Sequence, residues 1–154
     1  MKITAQEEYG LRILIRIAGS KDETGMSIPQ ISEAEGLTSH YVAKLARILR
    51  MEGFINSTPG YNGGYILAKP ADQTNVNQVL KALGGPLFDK EFCGNHAGSL
   101  KICINSVDCS TRSLWQMVQF RIDQVLDQVT LYDLLNAEKE SGRFLNQLTE
   151  QQKV

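Results

Sequence analysis

Apolar positions along the chain fall into short helical periods separated by glycine-rich breaks. Thr4-Ala5-Gln6-Glu7 is a capping-box pattern, because the Thr oxygen and the Glu carboxylate can each accept one of the orphan N–H groups at a helix start. Leu11, Leu14, Ile15 and Ala18 then recur at spacings of three and four, and Gly19 ends that run. A polar turn over 20–26 precedes Ser27-Ile28-Pro29-Gln30, a second cap with Pro29 suited to the first turn of a short helix through Ala34. Gly36 stops it. Thr38 or Ser39 caps a third helix, with Val42, Leu45, Ile48 and Leu49 as its inward stripe and Gly53 as its end. Two helices joined by a tight glycine-containing turn, with another before them, make a helix-turn-helix pattern.

Two β-prone runs follow, over 54–58 and 65–68, around the glycine-rich tip Pro59-Gly60-Tyr61-Asn62-Gly63-Gly64. That is a hairpin signal, and a hairpin directly after a helix-turn-helix is a wing. Val76, Val79, Leu80 and Leu83 mark a fourth helix, which Gly84-Gly85-Pro86 breaks. Beyond a cysteine-bearing stretch, Ser110 or Thr111 caps a long helix. Its seam of Trp115, Val118, Ile122, Val125 and Val129 alternates by three and four, as in a coiled coil. A lone helix with such a seam needs a partner to bury it, and a symmetric one implies a homodimer. Thr130 to Asp133 restarts a short helix, and from Ala137 the chain is polar with scattered Phe144, Leu145 and Leu148, which suits a frayed tail or a weak helix. The expected fold is mainly α with a small β-hairpin wing. It divides into a winged helix-turn-helix domain over 1–83, a cysteine loop over 84–110, a dimerisation helix and short following helix over 111–136, and a polar tail over 137–154.

Composition narrows this picture. Hydrophobic content of 42% and charged content of 21% suit an ordinary globular chain of 154 residues. No apolar run approaches the ~20 residues of a membrane span, and no signal-peptide core is visible, so a cytoplasmic location is expected. The formal net charge is −1, so DNA binding has to rest on a local patch. The third helix supplies one. With its inward stripe removed, Ser39, His40, Lys44, Arg47 and Arg50 remain, with Tyr41 beside them: small polar groups at the helix start for base edges, then cations for phosphates. A solvated helix face would carry the same charges, but the wing behind it favours DNA. Tyr61 and Asn62 at the wing tip would reach the minor groove or backbone, although no cation accompanies them.

All three cysteines lie in one stretch, spaced C-x9-C-x5-C as Cys93, Cys103 and Cys109, among Gly, Asn, Ser and His96. In a cytosolic chain, clustered thiols on a polar loop point to a soft metal, an iron–sulfur cluster or redox chemistry rather than structural disulfides. An enzyme with a nucleophilic cysteine would need a positioned base. Only His40 and His96 are available, at no catalytic spacing, so an enzyme is not expected.

Several segments together resemble the winged-helix regulators related to IscR and NsrR, the Rrf-two family. They are ITAQEEYGLRIL at the start, LTSHYVAKLARILRMEGFI at the third helix, the wing ending in Gly-Gly-Tyr, the cysteine loop before a long helix, and VTLYDLL at 129–135. The resemblance covers roughly residues 1–135. It implies homodimeric transcription regulators that bind a pseudo-palindromic operator in double-stranded DNA and respond to iron–sulfur, redox or nitric-oxide status, as repressor or activator. It also implies an iron–sulfur cluster, [2Fe-2S] or [4Fe-4S], on Cys93, Cys103 and Cys109. The gap of nine before Cys103 is longer than the family's usual one. Where some members place a histidine ligand this chain has Arg112, which stays protonated and cannot ligate. NsrR-like members use a carboxylate from the partner's first helix, a position that Glu8 fills here, and His96 is a local alternative. The family's wing often carries an Arg where this chain has Pro59, so operator preference does not transfer. A cluster-free regulator switching by thiol oxidation or zinc is the main alternative.

Overall fold

The structure is a computed structural model that describes residues 2–99 and 101–151. Helix α1 spans Ala5–Ala18, and its Thr4–Glu7 capping box is formed on both sides. The buried stripe is Gly10, Ile13, Leu14 and Ile17, so the expected Leu11, Ile15 and Ala18 lie at its half-buried flanks. Helix α2, Ile28–Glu35, starts on a Ser27–Gln30 capping box and ends at Gly36, whose left-handed φ of 66° turns the chain toward α3. Helix α3, Ser39–Met51, is capped by Thr38, whose Oγ1 accepts from the Tyr41 N–H at 3.3 Å. Val42, Leu45, Ala46 and Leu49 face inward, and Ile48 is half-buried.

The wing is the antiparallel pair β1, Ile55–Ser57, and β2, Tyr65–Leu67, with Ile55 opposite Leu67. A third segment pairs with it, at Tyr65, beyond what the hairpin pattern predicts. Met26 and Tyr65 exchange both backbone hydrogen bonds, at 3.0 and 2.8 Å, so the turn after α1 supplies a third chain segment to the wing. Gly64 permits this approach: a Cβ there would stand 2.5 Å from the Met26 carbonyl carbon.

Helix α4, Val76–Gly84, packs on both α1 and α3. One core joins Ile13, Leu14, Ile17, Ile31, Val42, Leu45, Leu49, Ile55, Val79 and Leu83, together with Leu131 from much later in the chain. Leu131 reaches it because Asn75 and Thr130 form a backbone bridge, and the Leu131 N–H donates to the Thr74 carbonyl at 2.8 Å. The VTLYDLL segment therefore closes the core of the DNA-binding fold.

Within the cysteine stretch a four-residue helix, α5 (Phe92–Asn95), interrupts what composition suggested to be loop throughout. Helix α6 spans Ser110–Leu126. Its N-cap is Cys109 itself rather than Ser110 or Thr111, and it stops before Val129. Val129 instead joins a satellite core with Val76 and Leu148. Leu148 lies on a seventh helix, α7 (Glu138–Gln151), so the segment read as a frayed tail or a weak helix is helical. Among the described residues no helix is long and apolar enough to cross a membrane.

Candidate DNA interface and cysteine loop

The cations of α3 stand where the pattern put them. Lys44, Arg47 and Arg50 are spaced by three along one outward face, with Ser39 and His40 exposed at the helix start. Among the described residues the salt bridges fall on Arg12, Arg16 and Lys81, and none involves the α3 cations. Tyr41 sits differently. It is half-buried, its ring packed edge-on against Tyr9 of α1 at 6.0 Å, which places it behind the outward face. At the wing tip Tyr61 and Asn62 are open to solvent. Below them Thr58 holds the hairpin in shape: its hydroxyl accepts from the Gly64 N–H at 2.7 Å and donates to the Thr24 carbonyl at 2.6 Å.

The orientation of this unit depends on residues that no motif marked. Arg12 and Arg16, one turn apart on α1, both donate to Glu35 at the end of α2, each at 2.8 Å. The Glu35 side chain is only 3% exposed, so one carboxylate fixes α2 on α1. The i, i+4 spacing of the two arginines was the available signal; their acid lies 19 residues beyond the nearer of them and could not be paired from sequence.

The three cysteines are free thiols, each half-buried. Cys93 lies on α5, whose start is held by the Asp89 carboxylate accepting from the Glu91 and Phe92 N–H groups at 2.9 and 2.8 Å. His96 closes α5 with its ring stacked on Phe92 at 4.1 Å, and its Nδ1 donates to the Phe92 carbonyl at 2.8 Å. Nε2 therefore carries the lone pair of the neutral ring. Cys103 sits in a turn in which its carbonyl accepts from the Ser106 N–H at 3.1 Å. Cys109 caps α6: its Sγ accepts from the Arg112 N–H at 3.4 Å and lies 3.1 Å from the Thr111 hydroxyl. The Thr111 hydroxyl first, then the Arg112 amide and guanidinium, favour the thiolate and hold this thiol below the ordinary cysteine range. Arg112 also ties the loop end to α6 by donating to the Ser106 carbonyl at 2.9 Å.

The donor chemistry suits an iron–sulfur cluster, but the geometry does not form a cage. Among the described residues no three of His, Cys, Asp and Glu converge on a common point. Glu8 is exposed on α1, and His96 is committed to α5 through one nitrogen. The residues as folded in one chain do not fit a cluster without rearrangement of the loop.

The profile of the Rrf2 family, described as an iron-dependent transcriptional regulator, matches residues 3–137. The chain belongs to the Rrf2 family. Its relatives agree with the winged-helix fold. The protein rrf2 of Nitratidesulfovibrio vulgaris is 35% identical over 135 residues, 88% of this chain and 87% of that one. The transcriptional regulator CymR of Bacillus subtilis is 30% identical over 134 residues, covering 87% of this chain and 89% of that protein. The solved structure of CymR, described as the global cysteine regulator of B. subtilis, superposes with a TM-score of 0.69 at 29% identity, covering 88% of this chain and 96% of that one. The structure of T. potens IscR gives 0.67 at 30% identity over 88% and 86%. This Rrf2 protein is thus a winged-helix transcriptional regulator and not an enzyme.

Proposed function

We propose that this Rrf2 protein is a homodimeric, sequence-specific DNA-binding regulator whose sensor is the loop carrying Cys93, Cys103 and Cys109. The observation that carries the reading is the position of Cys109. Its sulfur is the cap of α6, the helix with the exposed apolar face, so chemistry at this thiol acts directly on the element that would pair the two protomers. Ser39, His40, Lys44, Arg47 and Arg50 would enter successive major grooves of a pseudo-palindromic operator, with Tyr41 supporting the helix from behind and Tyr61 and Asn62 reaching from the wing. Each phosphate neutralised adds about 0.9 to the salt slope, so Lys44→Ala or Arg47→Ala, present in both protomers, should lower it by roughly 2. Titration of operator DNA across salt concentrations checks this; an unchanged slope removes that residue from the interface.

Two chemistries suit the sensor. In the first, an iron–sulfur cluster binds to Cys93, Cys103 and Cys109, with Glu8 of the partner protomer or His96 as the remaining ligand. The three thiolate donors on one stretch and the family's iron-dependent description support it. In the second, no cluster binds and the thiols themselves switch by oxidation or take zinc. The dispersed positions of the thiols and the engagement of Cys109 as a helix cap favour this alternative. Iron and acid-labile sulfide analysis of anaerobically purified protein, with its visible spectrum, separates them. Matched iron and sulfide with charge-transfer bands establishes the cluster. Zinc, or three titratable thiols without metal, establishes the second chemistry.

A further inference from the structure

The cysteine loop and the helix-turn-helix body meet at a polar cluster that neither the sequence motifs nor the sensor reading uses. At the entrance to the loop the Phe88 N–H donates to Gln119 Oε1 of α6 at 3.1 Å. The other end of that amide, Gln119 Nε2, donates to Asp123 Oδ1 at 2.8 Å. The same carboxylate oxygen receives two groups from α4, Asn77 Nδ2 at 2.9 Å and Lys81 Nζ at 2.7 Å. Asn77 is buried and also donates from its amide to Asp127 Oδ1 at 2.6 Å. Phe88, Gln119 and Asp123 line one cavity of about 510 Å³, and Cys93 and Arg112 stand in the same wall. From there α4 packs directly on α1 and α3.

The polarity of this chain is directional. The Phe88 amide needs an acceptor and the Asp123 carboxylate needs a donor, so only one orientation of the Gln119 amide serves both. If the Phe88 peptide moves, Gln119 either follows it or loses one of its two partners, and Asp123 loses a donor in turn. We propose that Gln119 and Asp123 are positioning residues that couple the state of the cysteine loop to the DNA-binding helices through α4. The coupling rests on the reading of the loop as sensor only for its effect on DNA; the mechanical link to α4 stands apart from it.

The test uses full-length wild type, Gln119→Glu, and the exchanged pair Gln119→Glu with Asp123→Asn. The carboxylate introduced by the single change would still accept from Phe88 but would stand against that of Asp123. In the exchanged pair the new amide at position 123 donates to the new carboxylate at position 119, which restores the hydrogen bond with reversed polarity. Loop thiols are alkylated with iodoacetamide, and amide hydrogen exchange is followed over residues 76–84. In wild type, alkylation should change protection of α4 by about 2- to 30-fold, the range of coupling through packed networks. In Gln119→Glu the change should fall below about twofold, and the exchanged pair should recover it. A merely structural staple would lower stability in Gln119→Glu while leaving the response to alkylation intact. That outcome overturns the proposal, as does the absence of any α4 response in wild type. Should Gln119→Glu not fold, Gln119→Ala makes the same cut without adding charge. Affinity for a DNA site selected from a random pool by the wild-type protein is measured in parallel. If α4 responds and DNA affinity does not, the sensor reading fails while the coupling stands.

Discussion

Glu35 receives two guanidinium groups while almost excluded from water, and Arg12 additionally lies 5.4 Å from the Tyr9 ring centroid. Hydrogen bonds to charged groups are worth about 1.5–3 kcal/mol, so Glu35→Ala should lose stability in that range. Equilibrium urea unfolding reads it, and a loss within error of zero would show that the pair does not hold α2. Asp123 offers a prediction in pH. Burial pushes its carboxyl up, but the hydrogen bonds from Lys81, Asn77 and Gln119 together outweigh that and hold it below the ordinary carboxylate value. A depressed folded-state value contributes stability above the unfolded pKa, which is lost as pH falls through the folded one. As pH falls from the ordinary carboxylate range through the lower folded-state value, wild type should therefore lose more stability on the urea curves than Asp123→Asn; parallel acid limbs would contradict this. The caps and the α3 cations were legible from sequence because they depend on neighbours within a few positions. Glu35 and Asn77 were not, since their partners lie tens of residues away or on elements whose facing could not be foreseen.

The starts of α1 and α2 and the wing followed from local rules, because capping boxes, Gly36 and the glycine-rich tip each answer a specific backbone need. The departures share one physical cause. Periodicity reports an apolar stripe but not where the helix under it ends, so Val129 read as a continuation of the α6 seam although it belongs to the bridge with α4. For the same reason α7 looked like a tail: among its described side chains only Leu148 is buried, against Val76 and Val129. Cys109 was read as a ligand, and its service as a helix cap is a role sulfur seldom takes. The wing gives a further expectation. Gly64→Ala would force a methyl group against the Met26 backbone, and overpacking of this kind costs about 1–3 kcal/mol. Stability should fall by that amount, and operator affinity with it, as the hairpin parts from the turn after α1. Thermal melts and DNA titration of the variant check both, and wild-type values in both would show that the wing adapts.

At the largest scale, the chain buries one continuous core around α1–α4 yet leaves α6 without a single buried residue. Leu114, Trp115, Met117 and Phe120 are each at least 40% exposed on it. The proposed homodimer covers this face, so Met117→Asp with Phe120→Asp should yield monomers in sedimentation velocity and lower operator affinity. A dimer that persists would move the interface elsewhere. Charge is also arranged over the whole. Among the described residues two cations of α1 are paired with Glu35 and Lys81 with Asp123, while Lys44, Arg47 and Arg50 of α3 enter no salt bridge, in a chain of formal net charge −1. Such a protein has little general attraction for polyanions. Random chromosomal DNA would then be a weak competitor, and a modest number of copies would suffice to keep an operator occupied, with occupancy governed by base contacts more than by crowding onto the nearest duplex.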